Sequence, residues 1–332
     1  MLFFPAGAAD MTPFIDSVHQ VLLIQSALVS ALPVLDRLPR ARARKVKVNA
    51  LLGPKPAVEI VDGKPMIGTR PYGFHAGDEL TALKDMGVEY LINPQFSALR
   101  NTTYQPGVAS HATYVIADGK TALVCSGALS ASALQRERNA CVRSDDAAVV
   151  KALAALFYSE FDETLDFVRK QAFDRVARSR LIVCPSCEDA LLAELADVAE
   201  LTLRVAGFGS LPKIEARLLQ LGGRLRVLLP LPYRGQHPFE ETLRRAGAQI
   251  RFVDESFGGL MWSSRTKTGI VRAVVGSMQL NANSLAVPVK SVSRWTVIWQ
   301  WRLRGCSPRC GSLLNRRHAD NIGRIVLPPE PR

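Results

Sequence analysis

The chain of 332 residues contains no apolar run of the ~18 residues needed to cross a bilayer. Residues 21–35, VLLIQSALVSALPVL, come nearest, but they are shorter and hold Gln25 and Pro33. They read as a buried strand followed by a helix start. The opening MLFFPAGAADM lacks both a basic region and a proper apolar core, so it does not read as a secretory leader. The expectation is a soluble or peripheral membrane protein. Histidine is scarce, with five in the chain, and none accompanies Cys184/Cys187 or Cys306/Cys310 at ligand spacing. Those cysteines therefore do not read as zinc sites. Cys125 reads as a small packing residue.

Acidic side chains nearly vanish past residue 264, where twelve Lys/Arg meet only Asp320 and Glu330. The net charge of +12 is thus concentrated there, leaving +2 on the first 264 residues. All four tryptophans (Trp262, Trp295, Trp299, Trp301) also lie beyond residue 260. Three readings fit this break: a basic, aromatic tail for anionic lipid or nucleic acid, an ordinary solvated terminus, or a stretch translated out of frame from about residue 258.

What the chain does have is a repeat. TALVCSGALSASAL (121–134) and RAVVGSMQLNANSL (272–285) agree at six of fourteen positions at an offset of 151. Gln20–Ser26, a segment starting near Pro33 and Val46–Val48 read as strand, helix, strand. Leu201–Ala206, KIEARLLQL and Leu225–Leu229 repeat that order, as in βαβ units. A second helix follows in each copy, Asp78–Gly87 and Phe239–Gly247, each ending on a glycine suited to the left-handed cap. Strands are expected at Val88–Ile92 and Gln249–Val253. Ala112–Ala117, a turn at Asp118-Gly119 and Thr121–Cys125 read as a hairpin. Between the copies, 147–170 reads as a helix with Val150, Leu153, Leu156 and Phe157 on one face. The Gly- and Pro-rich segment 53–77 reads as a loop.

His111-Ala-Thr113, four residues, Asp118, six residues and Cys125-Ser126 resembles the signature of the phospholipase D superfamily, His-x-Lys, four residues, Asp, six residues, Gly-Ser. The resemblance runs from about residue 14 to residue 285. It implies an α/β protein of two similar phospholipase D-like α/β/α sandwich lobes, related by a pseudo-twofold, with the active cleft between them. The lobes would be residues 1–172 and 173–290, with 291–332 as a basic tail. In such a cleft one His attacks phosphorus. A second His protonates the leaving oxygen, Lys stabilises the phosphoryl charge and Asp supports a His. Neither metal nor cofactor is implied.

Carried onto this chain, His111 and Asp118 are the catalytic candidates. Thr113, Ser126 and Ser277 are the phosphate-binding or supporting candidates. At the constant offset, Trp262, Ser264 and Gly269 stand where the second His, Lys and Asp would be; Arg265-Thr-Lys267 is a shifted alternative. Tyr104 and the loop 101–110 are candidates for the entrance. The resemblance therefore implies a phosphodiesterase or phosphatidyltransferase acting on phosphodiesters, phospholipid head groups first, through a phosphohistidine, with catalysis impaired in this chain. The alternatives are a non-enzymatic module binding anionic phosphate on lipid or nucleic acid, and an endonuclease of the same superfamily. A chain with two copies supplies its own pseudo-dimer, so a monomer with peripheral membrane contact is the expectation.

Overall fold

The computed structural model describes residues 2–3, 7–52, 58–61, 64–67, 83, 88–92, 112–161, 181–184, 187–235, 238–254, 257–277, 280 and 296–303. In chain order the first half gives β1 (Leu2–Phe3), α1 (Ala8–Asp16), β2 (Val21–Ser26), α2 (Leu32–Leu35), α3 (Leu38–Ala43) and β3 (Lys47–Leu52). It continues with β4 (Val58–Val61), β5 (Lys64–Ile67), β6 (Glu89–Ile92), β7 (Tyr114–Ala117), β8 (Thr121–Cys125), α4 (Ala131–Gln135), β9 (Ala140–Ser144) and α5 (Ala147–Phe161). The second half gives β10 (Leu181–Cys184), α6 (Glu188–Leu195), β11 (Val198–Arg204), α7 (Pro212–Leu219) and β12 (Leu225–Pro230). It ends with α8 (Pro238–Arg245), β13 (Gln249–Val253), β14 (Leu260–Thr266), β15 (Val271–Gly276) and β16 (Thr296–Leu303).

The fold is α/β with two mixed seven-stranded sheets. Their orders are β1-β9-β8-β7-β2-β3-β6 and β10-β16-β15-β14-β11-β12-β13. Strand for strand the two halves follow one plan. The inner pairs β2–β3 and β11–β12 are parallel, and the hairpins β7–β8 and β14–β15 are antiparallel. Even an isolated bridge recurs, Val29 with Leu129 and Phe208 with Leu280.

Three apolar layers hold the chain. Met11, Ile15, Val34 and Leu38 from α1–α3 pack on one face of the first sheet. Leu191, Ile214, Leu218 and Leu243 from α6–α8 pack on the second. The third layer joins the halves. Tyr114, Ile116, Ala122 and Val124 on the other face of the first sheet meet α5 and also Leu181 and Val275 of the second sheet. Val150, Leu153, Leu156 and Phe157 of α5 are all at most 1% exposed, as their helical spacing predicts. Each contributes about 1.5–3 kcal/mol by leaving water. Local signals act where expected: Pro33, Pro39 and Pro212 lie in the first turns of α2, α3 and α7, where a missing N–H costs nothing. Gly247, past the end of α8, has φ +91°.

Three expectations change. The segment 53–77, read as a loop, contains the antiparallel hairpin β4–β5. Thr296–Leu303, read as part of a basic tail, is an inner strand of the second sheet, paired with both β15 and β10. Charge counts cannot reveal this, because strand pairing uses backbone groups that every residue carries. Cys125, read as packing alone, forms a disulfide with Cys141, its cross-strand partner on β9. The helix expected to run to residue 170 is described to Phe161, and the lobe boundary near 170–180 lies outside the described residues. Of the helix expected at 78–87, only Leu83 is described, helical and buried. No described helix is long and apolar enough to cross a membrane.

Candidate functional site at the junction of the two sheets

His111, Tyr104 and the loop 101–110 lie outside the described residues. Thr113 is described, 1% exposed, just before β7, and its carbonyl accepts from the Cys125 amide at 2.9 Å. Asp118 sits at the opposite end of that strand, roughly 15 Å from Thr113 at the usual rise per residue. It occupies the tight turn with φ +51°, followed by Gly119 at +63°. Its carboxylate accepts the amides of His19 (2.9 Å), Gln20 (2.7 Å) and Val21 (2.9 Å), which precede and open β2. Burial pushes the carboxyl pKa up, but the three amides, with the nearby His19, outweigh it and hold the group below its usual value. Asp118 thus pins a hairpin to the sheet, and the structure does not bring it together with Thr113 or Ser126.

Ser126, at the other end of β8, lies on the junction. Its Oγ donates to Asn139 Oδ1 (3.1 Å) and accepts from the Ala140 amide (3.0 Å). The same Asn139 oxygen accepts the Gly258 amide of the second half at 2.9 Å. Asn139 Nδ2 donates to the Ala133 carbonyl (3.0 Å) and Glu137 Oε2 (3.1 Å). Buried to 2% exposure and fully occupied, Asn139 is the polar rivet between the halves. Beside it, Arg204 Nη1 reaches the Arg138 carbonyl (3.4 Å) while its guanidinium lies 5.1 Å from the Phe257 ring centroid.

Backbone approaches backbone here. A Cβ on Gly258 would stand 2.9 Å from Gly127 Cα. A Cβ on Gly259 would overlap the carbonyls of Ser126 and Gly276 and press on Ser277 Cα at 2.8 Å. One methyl group would therefore strike the backbones of Ser126 and Ser277 together, so the main chains of the two repeat serines meet there. They differ in one respect. The Ser277 hydroxyl is buried and has no hydrogen-bond partner among the described residues.

The second half's reactive positions fall elsewhere than a constant offset puts them. Ala117 pairs with Leu22 on one side and Thr121 on the other. In the second half Ser264 pairs with Leu201 and Arg272 in the same way. The offset of 151 holds between β8 and β15, but between β7 and β14 it is 147, because the second hairpin carries two additional ladder pairs before its turn. Trp262 then corresponds to Val115 and is a core residue, 5% exposed. Ser264 corresponds to Ala117, and its buried hydroxyl has no partner among the described residues. Gly269, φ +82°, and Lys267 belong to the turn at the far end of the longer hairpin. The register places Leu260 at the level of Thr113, and counting two residues back along each sequence matches Gly258 with His111, which lies outside the described residues. The expected assignments of Trp262, Ser264 and Gly269 are corrected accordingly. Neither imidazole nor ammonium stands at the corrected positions.

Gly258 and Arg204 escaped the sequence reading, whereas Asn139 belongs to the run Arg136-Glu137-Arg138-Asn139 that follows the first motif and forms part of the resemblance. The run gave no sign that Asn139 would hold the second half. Among the described residues no group of three His, Cys, Asp or Glu side chains could hold a metal ion.

No protein-family model matches this sequence, and no curated protein matches it significantly. Solved structures match its fold. Phosphatidylserine synthase of Haemophilus influenzae Rd KW20 superposes with a TM-score of 0.64 at 9% identity, over 96% of this chain and 85% of that one. Polyphosphate kinase of Porphyromonas gingivalis gives 0.56 at 11% identity, over 95% of this chain and 45% of that chain's length. A mutant form of yeast tyrosyl-DNA phosphodiesterase gives 0.52 at 10% identity, over 90% and 87%.

Proposed function

Starting from a chain that has the phospholipase D superfamily fold, we propose that this is a phosphoryl-transfer protein of the phosphodiesterase/phosphatidyltransferase class, impaired in turnover. Its site lies in a cleft at the junction of two pseudo-twofold lobes. Phospholipid head groups are the first substrate class. The observation that carries the reading is the backbone approach of Ser126 and Ser277 at Gly259, next to Gly258.

The chemistry follows from what each half brings. His111 supplies a nitrogen that attacks phosphorus, forming a P–N bond as the P–O bond to the leaving group breaks. The departing oxygen needs a proton, and the corresponding position in the second half is Gly258, which has none to give. A missing acid of this kind costs about 10²–10⁴ in rate. Thr113 replaces the ammonium that would neutralise the phosphoryl oxygens, a further loss of about 10²–10³. The two losses do not simply multiply. Asp118 serves the scaffold through the amides of residues 19–21. On this reading the Ser277 hydroxyl, buried and without a partner among the described residues, donates to a bound phosphate.

The glycine at the second imidazole's level also favours a second reading, a module that binds anionic phosphate without turning it over. Incubating the protein with phosphatidylglycerol or phosphatidylcholine vesicles, and with single-stranded DNA, separates the readings. Turnover barely above that of His111→Asn, with a small mass shift of one phosphatidyl group at His111, supports impaired transfer. Saturable binding with no adduct supports the module. Rapid hydrolysis abolished by His111→Asn would sink the claim of impairment, and nuclease activity would move the substrate to nucleic acid.

A further inference from the structure

At the end of the first sheet remote from Ser126, the chain gathers positive charge. Arg40 and Arg42 lie in the last turn of α3, Lys45 and Lys47 flank the entry to β3, and Lys120 occupies the tip of the β7–β8 hairpin. All five are exposed. Backbone bonds make them one rim: the Lys45 amide binds the Arg42 carbonyl (2.8 Å) and the Lys47 amide binds the Gln20 carbonyl (2.8 Å). The Gln20 amide in turn binds Asp118, two residues before Lys120. Two nearby carboxylates are already committed. Asp118 faces the amides of residues 19–21, and Asp16 faces Arg37 (3.4 Å) and Arg44 (3.9 Å). Arg40, Arg42, Lys45 and Lys120 form no ion pair among the described residues.

A solvated face would look similar were it not for Lys45. Its φ is +67°, in the left-handed region that side-chain-bearing residues avoid. The register of β3 and β12 places it at the level of Gly222 in the second half, which has φ +53°. The same turn is therefore made with glycine in one half and with a lysine in a disfavoured conformation in the other. Strain retained at an exposed position points to a use for the side chain.

We propose that this rim docks the phosphate backbone of a nucleic acid, without reading its sequence. Arginine forks and lysine ammonium groups suit phosphodiester oxygens. A bilayer would fit worse. The exposed large apolar side chains of the described residues are Leu32, Tyr158 and Leu231, and none belongs to the rim. A flat membrane on this face would also hold the Ser126–Ser277 junction roughly a strand's length, about 15 Å, away. A flexible polyanion can bridge that distance over a few nucleotides. The charge of the rim is read independently of the phosphoryl-transfer reading; only the comparison with a bilayer rests on it, and DNA binding is scored apart from turnover.

The test compares the full chain with Arg40→Gln/Arg42→Gln/Lys45→Gly. A control, Lys213→Gln/Arg226→Gln/Arg251→Gln, removes equal charge from the second half. Binding of a fluorescent single-stranded DNA 20-mer is read by anisotropy across a salt series, beside vesicles of phosphatidylglycerol and phosphatidylcholine. The rim variant should bind DNA at least about tenfold more weakly, and its salt slope should fall by about 0.7 per lost contact. The control should bind as wild type does. Lys45→Gly alone should weaken binding while its thermal midpoint holds or rises, which separates docking from folding. DNA binding unchanged in the rim variant, equal weakening in the control, or rim-dependent vesicle binding without DNA binding would each overturn the proposal.

Discussion

In the first half, the hairpin of the repeat is tied to the neighbouring strand β2 by an acid, Asp118, whose oxygens take three consecutive amides. In the second half, the tie to β11 is made by a base. Arg272 grips Asp197 with two bonds of 2.8 and 2.7 Å, Glu194 stands 3.7 Å away, and the Lys267 amide binds the Asp197 carbonyl. Elsewhere the halves agree. Arg44 caps carbonyls at the end of α1 (Ile15, Val18), and Arg217 does the same for α6 (Leu195, Ala196) and for Val198 beyond it. The lesson is that a duplicated fold keeps a mechanical task while exchanging the group that performs it. A missing Asp at the second motif position therefore says little about function, whereas a missing imidazole says much.

The largest test of the junction is Asn139→Ala. It removes four hydrogen bonds, one of them the contact with Gly258 of the second half, and should cost about 2–4 kcal/mol. Chemical denaturation should also uncouple the two halves into separate transitions. If a single transition persists at the wild-type midpoint, Asn139 is no rivet.

The paired serines sharpen the contrast next. Ser126→Ala strands the Ala140 amide and should cost about 1–2 kcal/mol. Ser277→Ala removes a hydroxyl with no partner among the described residues, so its stability should be unchanged or slightly raised. Equal losses in both would show that the halves treat these hydroxyls alike.

Asp118→Asn keeps the positive φ that Asn tolerates and removes the charge. At neutral pH the loss should be about 1–2 kcal/mol from weakened charge-assisted bonds. The sign with pH follows from a folded carboxyl held below its usual value. Its contribution is complete above the unfolded pKa of about 3.9 and fades as pH falls through the lower folded value. Wild type and variant should therefore converge in acid, as read by urea midpoints across a pH series. A constant gap down to the lowest pH would refute the assignment. Smallest is Lys45→Gly, expected to stabilise by about 0.5–1 kcal/mol because glycine accepts the left-handed turn.

Much of the plan could be read along the chain, because its signals are local. The Asp118-Gly119 turn, the Gly247 cap, the α5 face and the paired strand–helix–strand order all depend on residues a few positions apart. What escaped depends on distant partners. A ladder lengthened by two pairs shifts every earlier position by four residues without marking the sequence, so Trp262 looked like a site residue and is core. Cys125 and Cys141 meet only because β8 and β9 are neighbours. Asn139 matters because Gly258, 119 residues away, docks on it.

The late strand β16 has a consequence for how the molecule is made. β10 has no described pairing partner other than β16, which the ribosome delivers roughly a hundred residues later, about 5–20 s at ordinary elongation rates. The first sheet gains its last strand by Ser144, while LIVC of β10 must wait, apolar and unpaired, through most of the second half's synthesis. Premature termination anywhere before Thr296 would leave that edge open. Such fragments are the natural clients of holdase chaperones and the first candidates for aggregation.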